Sequence, residues 1–183
     1  MRIRIDDILD DGLSLKFEEK SQAFPVLYKM TRAGECEFLA PLKTRLRVFQ
    51  VHSIIVMEGQ VETIVRLCCS RCLKEYETPL ETRFALTYTN ELPEIEKAYS
   101  EEEAELSDSE AGLMLFQGDE IDPQEAIQEQ VVMAFPVRSL CNEGCKGLCP
   151  RCGTNLNDGD CNCEKTSLNT RFAVLKDLKV EKK

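Results

Sequence analysis

A chain of 183 residues with 33 Asp and Glu against 23 Lys and Arg has a formal net charge of −10. Its isoelectric point near 4.8 is far from the basic value expected of a strong, nonspecific phosphate binder. The longest uninterrupted apolar stretch, Val131 to Val137, is seven residues including Pro136, too short for a membrane-spanning helix, and Met1 to Gly12 lacks the apolar core of an export signal, so a cytoplasmic protein is expected.

The first 90 residues have β texture, with 13 charges of each sign. Strands are expected at Arg2–Ile5 and Leu13–Phe17, then a short helix within Glu19–Met30, opposed by Pro25. Leu42–Val51, Ser53–Met57 and Gln60–Cys68 are rich in Val, Ile, Leu and Thr, with Glu58-Gly59 read as a turn between the last two. In Leu42-Lys43-Thr44-Arg45-Leu46-Arg47-Val48 a strand puts three cations on one face, a pattern that any half-buried strand also shows. Another strand follows Pro79, over Leu80–Thr89, so the pair Cys69-x2-Cys72 falls in a strand-to-strand connection.

The acidity is local. Residues 91–130 hold 14 Asp and Glu against one Lys, whereas residues 131–183 hold nine Lys and Arg against six acids. Residues 91–112 read as an acidic linker, since Glu101-Glu102-Glu103-Ala104-Glu105 repels itself and has little apolar surface to bury. Order returns at Gly112–Gln117. Asp122 as N-cap, Pro123 at the first helical position and Glu125 three residues after the cap start a helix that runs to about Ala134, with Ile127, Val131 and Ala134 as its buried stripe. A last short helix is expected at Thr170–Leu178, where Phe172, Leu175 and Leu178 recur at helical spacing and Lys179, Lys182 and Lys183 suit its C-terminal end. The expected fold is α+β: a mainly antiparallel sheet, one central and one C-terminal helix, and a C-terminal Cys-rich zinc-binding module. Residues 113–183 pack with residues 1–90 as one domain.

Six of the ten cysteines form Cys141-x3-Cys145-x3-Cys149-x2-Cys152-x8-Cys161-x-Cys163. Two thiolates two residues apart on a tight turn can face one ion while backbone amides donate to them. A disulfide framework belongs to short exported chains, and a redox Cys-x-x-Cys opens a helix, whereas Leu73-Lys-Glu-Tyr-Glu-Thr-Pro79 reads as a turn and a strand. Iron–sulfur ligation uses the same residue type; zinc is the default for knuckles such as Cys149-Pro-Arg-Cys152-Gly153. The local set is Cys149, Cys152, Cys161 and Cys163. That leaves Cys69, Cys72, Cys141 and Cys145 for a second site, with Cys68 able to replace Cys69, and Cys36 and Cys68 otherwise free. Two four-cysteine zinc sites have no open position for substrate. His52, the only histidine, has no nucleophile motif around it, and no phosphate-cradling Gly-rich loop is present. No enzyme is expected.

Cys69-Ser-Arg-Cys72-Leu73, Pro136-Val-Arg-Ser-Leu-Cys141, Cys145-Lys-Gly-Leu-Cys149-Pro-Arg-Cys152-Gly-Thr-Asn-Leu-Asn157 and the closing Arg171-Phe-Ala-Val-Leu-Lys-Asp-Leu178 together resemble the YceD family, the large ribosomal RNA subunit accumulation proteins. The likeness covers nearly the whole chain in order of parts, but does not settle which cysteines share a metal. Thr170 stands where family members often carry Pro, which loosens only the start of the last helix. Some relatives lack most of the C-terminal cysteines, so metal is not indispensable to the shared role. The resemblance implies a non-enzymatic ribosome-biogenesis factor supporting synthesis, processing or stability of 23S ribosomal RNA. Its partners would be precursor RNA or a large-subunit ribosomal protein, with no membrane and no small-molecule substrate. Lys43, Arg45, Arg47, Arg71, Lys74, Lys146 and Arg151 are the candidates for phosphate contact. In one alternative the acidic segment makes the chain a chaperone or adaptor for a basic large-subunit ribosomal protein. In another it is a zinc-dependent nucleic-acid-binding regulator, which would lack a basic recognition helix.

Overall fold

The alternation of Leu42, Thr44, Leu46 and Val48 with Lys43, Arg45 and Arg47 is realised as a strand with one buried and one exposed face. A computed structural model of the protein describes residues 2–9, 11–52, 54–90, 113–116 and 118–163. The chain runs β1 (Ile3–Arg4), β2 (Leu13–Glu19), α1 (Pro25–Ala33), β3 (Glu37–Phe38), β4 (Leu42–Val51), β5 (Ile54–Cys68), β6 (Glu75–Thr89), β7 (Leu113–Leu115), β8 (Glu120–Ile121) and α2 (Pro123–Met133). The expected helix at Thr170–Leu178 and the acidic linker lie outside the described residues.

The main sheet has the order β2-β4-β5-β6-β7, with β3 paired to the far end of β5; β1 and β8 form a separate two-stranded ribbon. Among the described residues every pairing is antiparallel except β6 with β7. The sheet is built on one long hairpin, in which β5 and β6 are each 15 residues and pair from Ile54↔Thr89 to Cys68↔Glu75.

Two expectations need correction. Glu58-Gly59 is not a turn: β5 runs straight through it, with Arg47↔Glu58 and Leu46↔Gly59 in the ladder. The turn lies at His52, which is exposed with φ 58° and whose carbonyl accepts from Gln50 Nε2 at 3.0 Å. Gly59 answers to packing. A Cβ there would lie 2.1 Å from Cζ of Phe84, its cross-strand partner, so the ring occupies the space a side chain would need. Pro79 likewise sits inside β6, not before it; until Thr87 that strand has no second neighbour among the described residues, and an edge tolerates the missing N–H.

Pro25 starts α1 instead of breaking it, because a proline at the first helical position lacks only an N–H that would have gone unpaired. Gly34, in the left-handed region, ends the helix. Asp122 caps α2 by accepting from Gln124 N at 2.9 Å. Both helices lie against one face of the sheet. Phe24, Leu27, Ile127 and Val131 are buried there with Leu42, Val48, Met57, Val61 and Val65, each apolar side chain contributing about 1.5–3 kcal/mol. On the other face Lys16, Arg45 and Arg83 are exposed. No described helix is long and apolar enough to cross a membrane.

Candidate metal centres and exposed cations

The tip of the β5–β6 hairpin and the segment after α2 carry the same local structure. In Cys69-Ser-Arg-Cys72-Leu73, Leu73 N donates to Cys69 O (2.9 Å) and Cys69 N to Lys74 O (2.9 Å). In Cys149-Pro-Arg-Cys152-Gly153, Gly153 N donates to Cys149 O (2.9 Å) and Cys149 N to Thr154 O (2.8 Å). The residue after the second cysteine is left-handed in both, at φ 60° for Leu73 and 74° for Gly153. Each turn therefore presents two sulfurs on one side with backbone amides beneath them.

Folding gathers eight thiols into two sets of four. Cys69, Cys72, Cys141 and Cys145 form one and Cys149, Cys152, Cys161 and Cys163 the other; within each set the sulfurs lie within 4.8 Å of one another. Cys69 Sγ is 3.8 Å from Cys145 Sγ, and Cys72 Sγ is 3.7 Å from Cys141 Sγ. These separations exclude disulfides, whose sulfurs sit about 2.05 Å apart. They match the edge of about 3.8 Å in a tetrahedron with metal–sulfur bonds of about 2.3 Å. The donor set and its spacing fit a single tetrahedral ion, so both clusters could hold metal. The first is the more enclosed: Cys69, Cys72 and Cys145 are buried, with Tyr76, Leu140 and Leu148 around them. In the second only Cys149 is buried.

The electrostatics within each set are divided. Backbone N–H groups, first that of Cys72 and then that of Cys141, hold the Cys69 thiol down to about 6. Burial pushes Cys145 up, but donation from Asn157 Nδ2 and the Gly147 N–H outweighs it, leaving the thiol below its ordinary value. Cys141 is pushed up to about 12, by burial and then by the neighbouring thiols, Cys72 first. In the second set the Thr154 hydroxyl, 3.2 Å from Cys152 Sγ, holds that thiol to about 6, while Cys163 is raised to about 12 by the sulfur of Cys152 and by burial. Four adjacent thiolates repel, and a dication in their midst removes that penalty.

Two residues that sequence reasoning did not assign to the centres join them. Asn157, from the turn between Cys152 and Cys161, donates to Cys145 Sγ at 3.4 Å and accepts from Lys146 N at 2.8 Å, tying the loop of the second set to a sulfur of the first. The only sequence sign was its place in a turn-forming Asn-Leu-Asn run. Arg71, a candidate phosphate contact, is exposed and also donates from Nη1 to Cys145 O at 2.8 Å, while its carbonyl accepts from Leu148 N at 3.1 Å. Of the other candidate cations, Lys43, Arg45 and Arg47 are exposed on β4, and Lys74, Lys146 and Arg151 are exposed near the cysteines. The structure thus separates them into two groups. Cys68 is exposed and Cys36 buried, and among the described residues neither enters a cluster.

Residues 57–179 match the family described as large ribosomal RNA subunit accumulation protein YceD. The chain belongs to this family. Among YceD relatives it is similar to YCED homolog 1, a chloroplastic large ribosomal RNA subunit accumulation protein of Arabidopsis thaliana, at 25% identity over 76% of this chain and 49% of the relative. It is similar to the Zea mays chloroplastic counterpart at 28% identity over 59% and 43%, and to an uncharacterized protein of Mycobacterium leprae at 29% identity over 66% and 51%. The chain spans about half the length of these relatives. No solved structure matches it at a significant level.

Proposed function

We propose that the chain is a non-enzymatic factor for accumulation of 23S ribosomal RNA, held in shape by two structural zinc ions. The observation that carries the reading is the paired four-thiol clusters within a YceD chain. Four sulfurs around one ion leave no position for substrate or activated water, so the metal would serve architecture. An iron–sulfur cluster spreads its thiolates over two or four irons and so holds some of them well apart, whereas all four sulfurs of each set lie within 4.8 Å of one another, which favours a single ion. Zinc would take its eight ligands from Cys69, Cys72, Cys141, Cys145, Cys149, Cys152, Cys161 and Cys163. The exposed cations make RNA the favoured direct partner over a basic ribosomal protein.

The test pairs metal content with a cellular readout. Purified protein should hold close to two zinc per chain, and loss of the protein should lower 23S relative to 16S ribosomal RNA. Eight freely titrating thiols without metal would refute the zinc assignment, and an unchanged RNA ratio would refute the ribosomal one.

A further inference from the structure

The helix-free face of the main sheet is zoned along its strands. Antiparallel register places Lys16, Arg45, Gln60 and Arg83 in one row across β2, β4, β5 and β6. The next row is Ser14, Arg47, Glu58 and Ala85, and beyond it Phe49, Val56 and Thr87. The row on the opposite side is Glu18, Lys43, Glu62 and Glu81. With small residues at both ends of the Arg47 row, a hollow of about 650 Å³ opens between the first two rows. Lys16, Arg45, Arg47 and Arg83 line it against one acid, Glu58.

These cations are only lightly engaged. Lys16 and Arg47 have no acidic partner within ion-pair distance among the described residues; Arg45 reaches Glu62 only at 3.9 Å, and Arg83 meets Glu81 at 3.3 Å. Gln60 Nε2 donates to both Glu62 (2.8 Å) and Glu81 (3.0 Å), drawing those carboxylates toward itself. The Arg47 guanidinium lies 5.6 Å from the centroid of the Phe49 ring.

We propose that this face binds single-stranded RNA, with its phosphates over Lys16, Arg45, Arg47 and Arg83 and its bases toward Phe49 and Val56. The proposal rests on the ribosomal RNA reading and places the contact on the sheet, away from the cysteine module. A phosphorylated small molecule would want an enclosed pocket, whereas these side chains all rise from one open face. Successive strands about 4.8 Å apart present the positive charges as a line, which suits a polyanion. An aromatic ring beside a cationic groove is how single strands are held without sequence readout. The row of Glu18, Glu62 and Glu81 repels a backbone displaced by one step and so sets its position. Lys16, Arg45 and Arg47 precede the residues matched to the family, so the face includes chain that the family match does not cover.

The test is a fluorescence-anisotropy titration of the zinc-loaded full chain with a labelled uridine homopolymer over a range of salt. Four phosphate contacts predict a slope of log K against log salt of about −2.8, and Lys16→Gln with Arg83→Gln should bring it to about −1.4. Arg4→Gln, on the separate ribbon, should leave it unchanged. An unaltered slope in the double variant, or no binding by the wild type, overturns the proposal; so does displacement of the RNA by polyglutamate at equal charge concentration, which would mark the face as the site of an acidic protein. Crosslinking the unmodified protein to 4-thiouridine RNA is independent of variant folding: adducts should fall on β2, β4 and β6, and adducts confined to the cysteine module overturn the assignment. The ribosomal reading stands or falls separately, on the 23S to 16S ratio.

Discussion

Leu73 and Gly153 hold the same left-handed position after the second cysteine of each knuckle. Gly153 was legible because glycine takes that conformation without cost. Leu73 was not: leucine there is strained, and the turn survives because Cys69 O accepts from its amide and the enclosed sulfurs hold the loop. The thiols are legible as residue types, but their proton states depend on amides and sulfurs brought in by folding. At pH 7 Cys72, Cys141, Cys161 and Cys163, all raised above the ordinary thiol value, carry protons, whereas Cys69 and Cys152, at about 6, are mostly thiolates. Cys145 and Cys149 are lowered as well. Every ligand must be ionised when metal binds. Zinc added to the metal-free protein at pH 7 in weak buffer should therefore release four to six protons per chain. Release of eight would show that all the thiols are ordinary.

At the level of elements, the β5–β6 hairpin is the lever that carries one knuckle to the module after α2. Ser139 O accepts from Ser70 N (2.7 Å) and Ser70 Oγ (3.1 Å), and Arg71 bonds Cys145 O, so the first cluster sits inside a seam between two distant parts of the chain. The second cluster closes within Cys149–Cys163, and its loop meets the seam through Asn157 on Cys145 Sγ and through Leu156 N, which donates to Gly147 O at 2.9 Å. Cys145→Ser and Cys152→Ser should each lower zinc content by about one per chain. Only Cys145→Ser should open residues 136–148 to limited proteolysis, because only it unties the module from the sheet; equal cleavage in both variants would show that the seam holds without its metal. The hairpin also explains the misread turn. Glu58-Gly59 has turn chemistry by composition, but a ladder of 15 pairs and the Phe84 ring override it. Local propensity is worth tenths of a kcal/mol to about 1 kcal/mol, less than the packing it opposes.

For the whole molecule, a net charge of −10 coexists with a cationic sheet face because the acids are concentrated elsewhere in sequence. Residues 94–110 hold eight acids and one Lys, so deleting them moves the net charge from −10 to −3. If the sheet face carries RNA, the deletion should tighten binding at low salt, with the difference fading as the Debye length shrinks. Equal affinity for RNA at low salt with and without the segment would show that it exerts no field on that face. Residue types and spacing along the chain were enough for most of the described strands and helices, the N-cap of α2, the cysteine inventory and, through the whole constellation of motifs, the YceD family. These are local or combinatorial properties, written in spacing and residue type. The set Cys69, Cys72, Cys141 and Cys145 was already what elimination along the sequence left, and folding draws it together. It took the folded chain to show that Asn157 reaches Cys145 Sγ, that Arg71 reaches Cys145 O from the hairpin tip, and that Lys16 and Arg83 join Arg45 in one row. Each depends on strand register and on contacts between residues far apart in the chain, which a pattern read along one dimension does not contain.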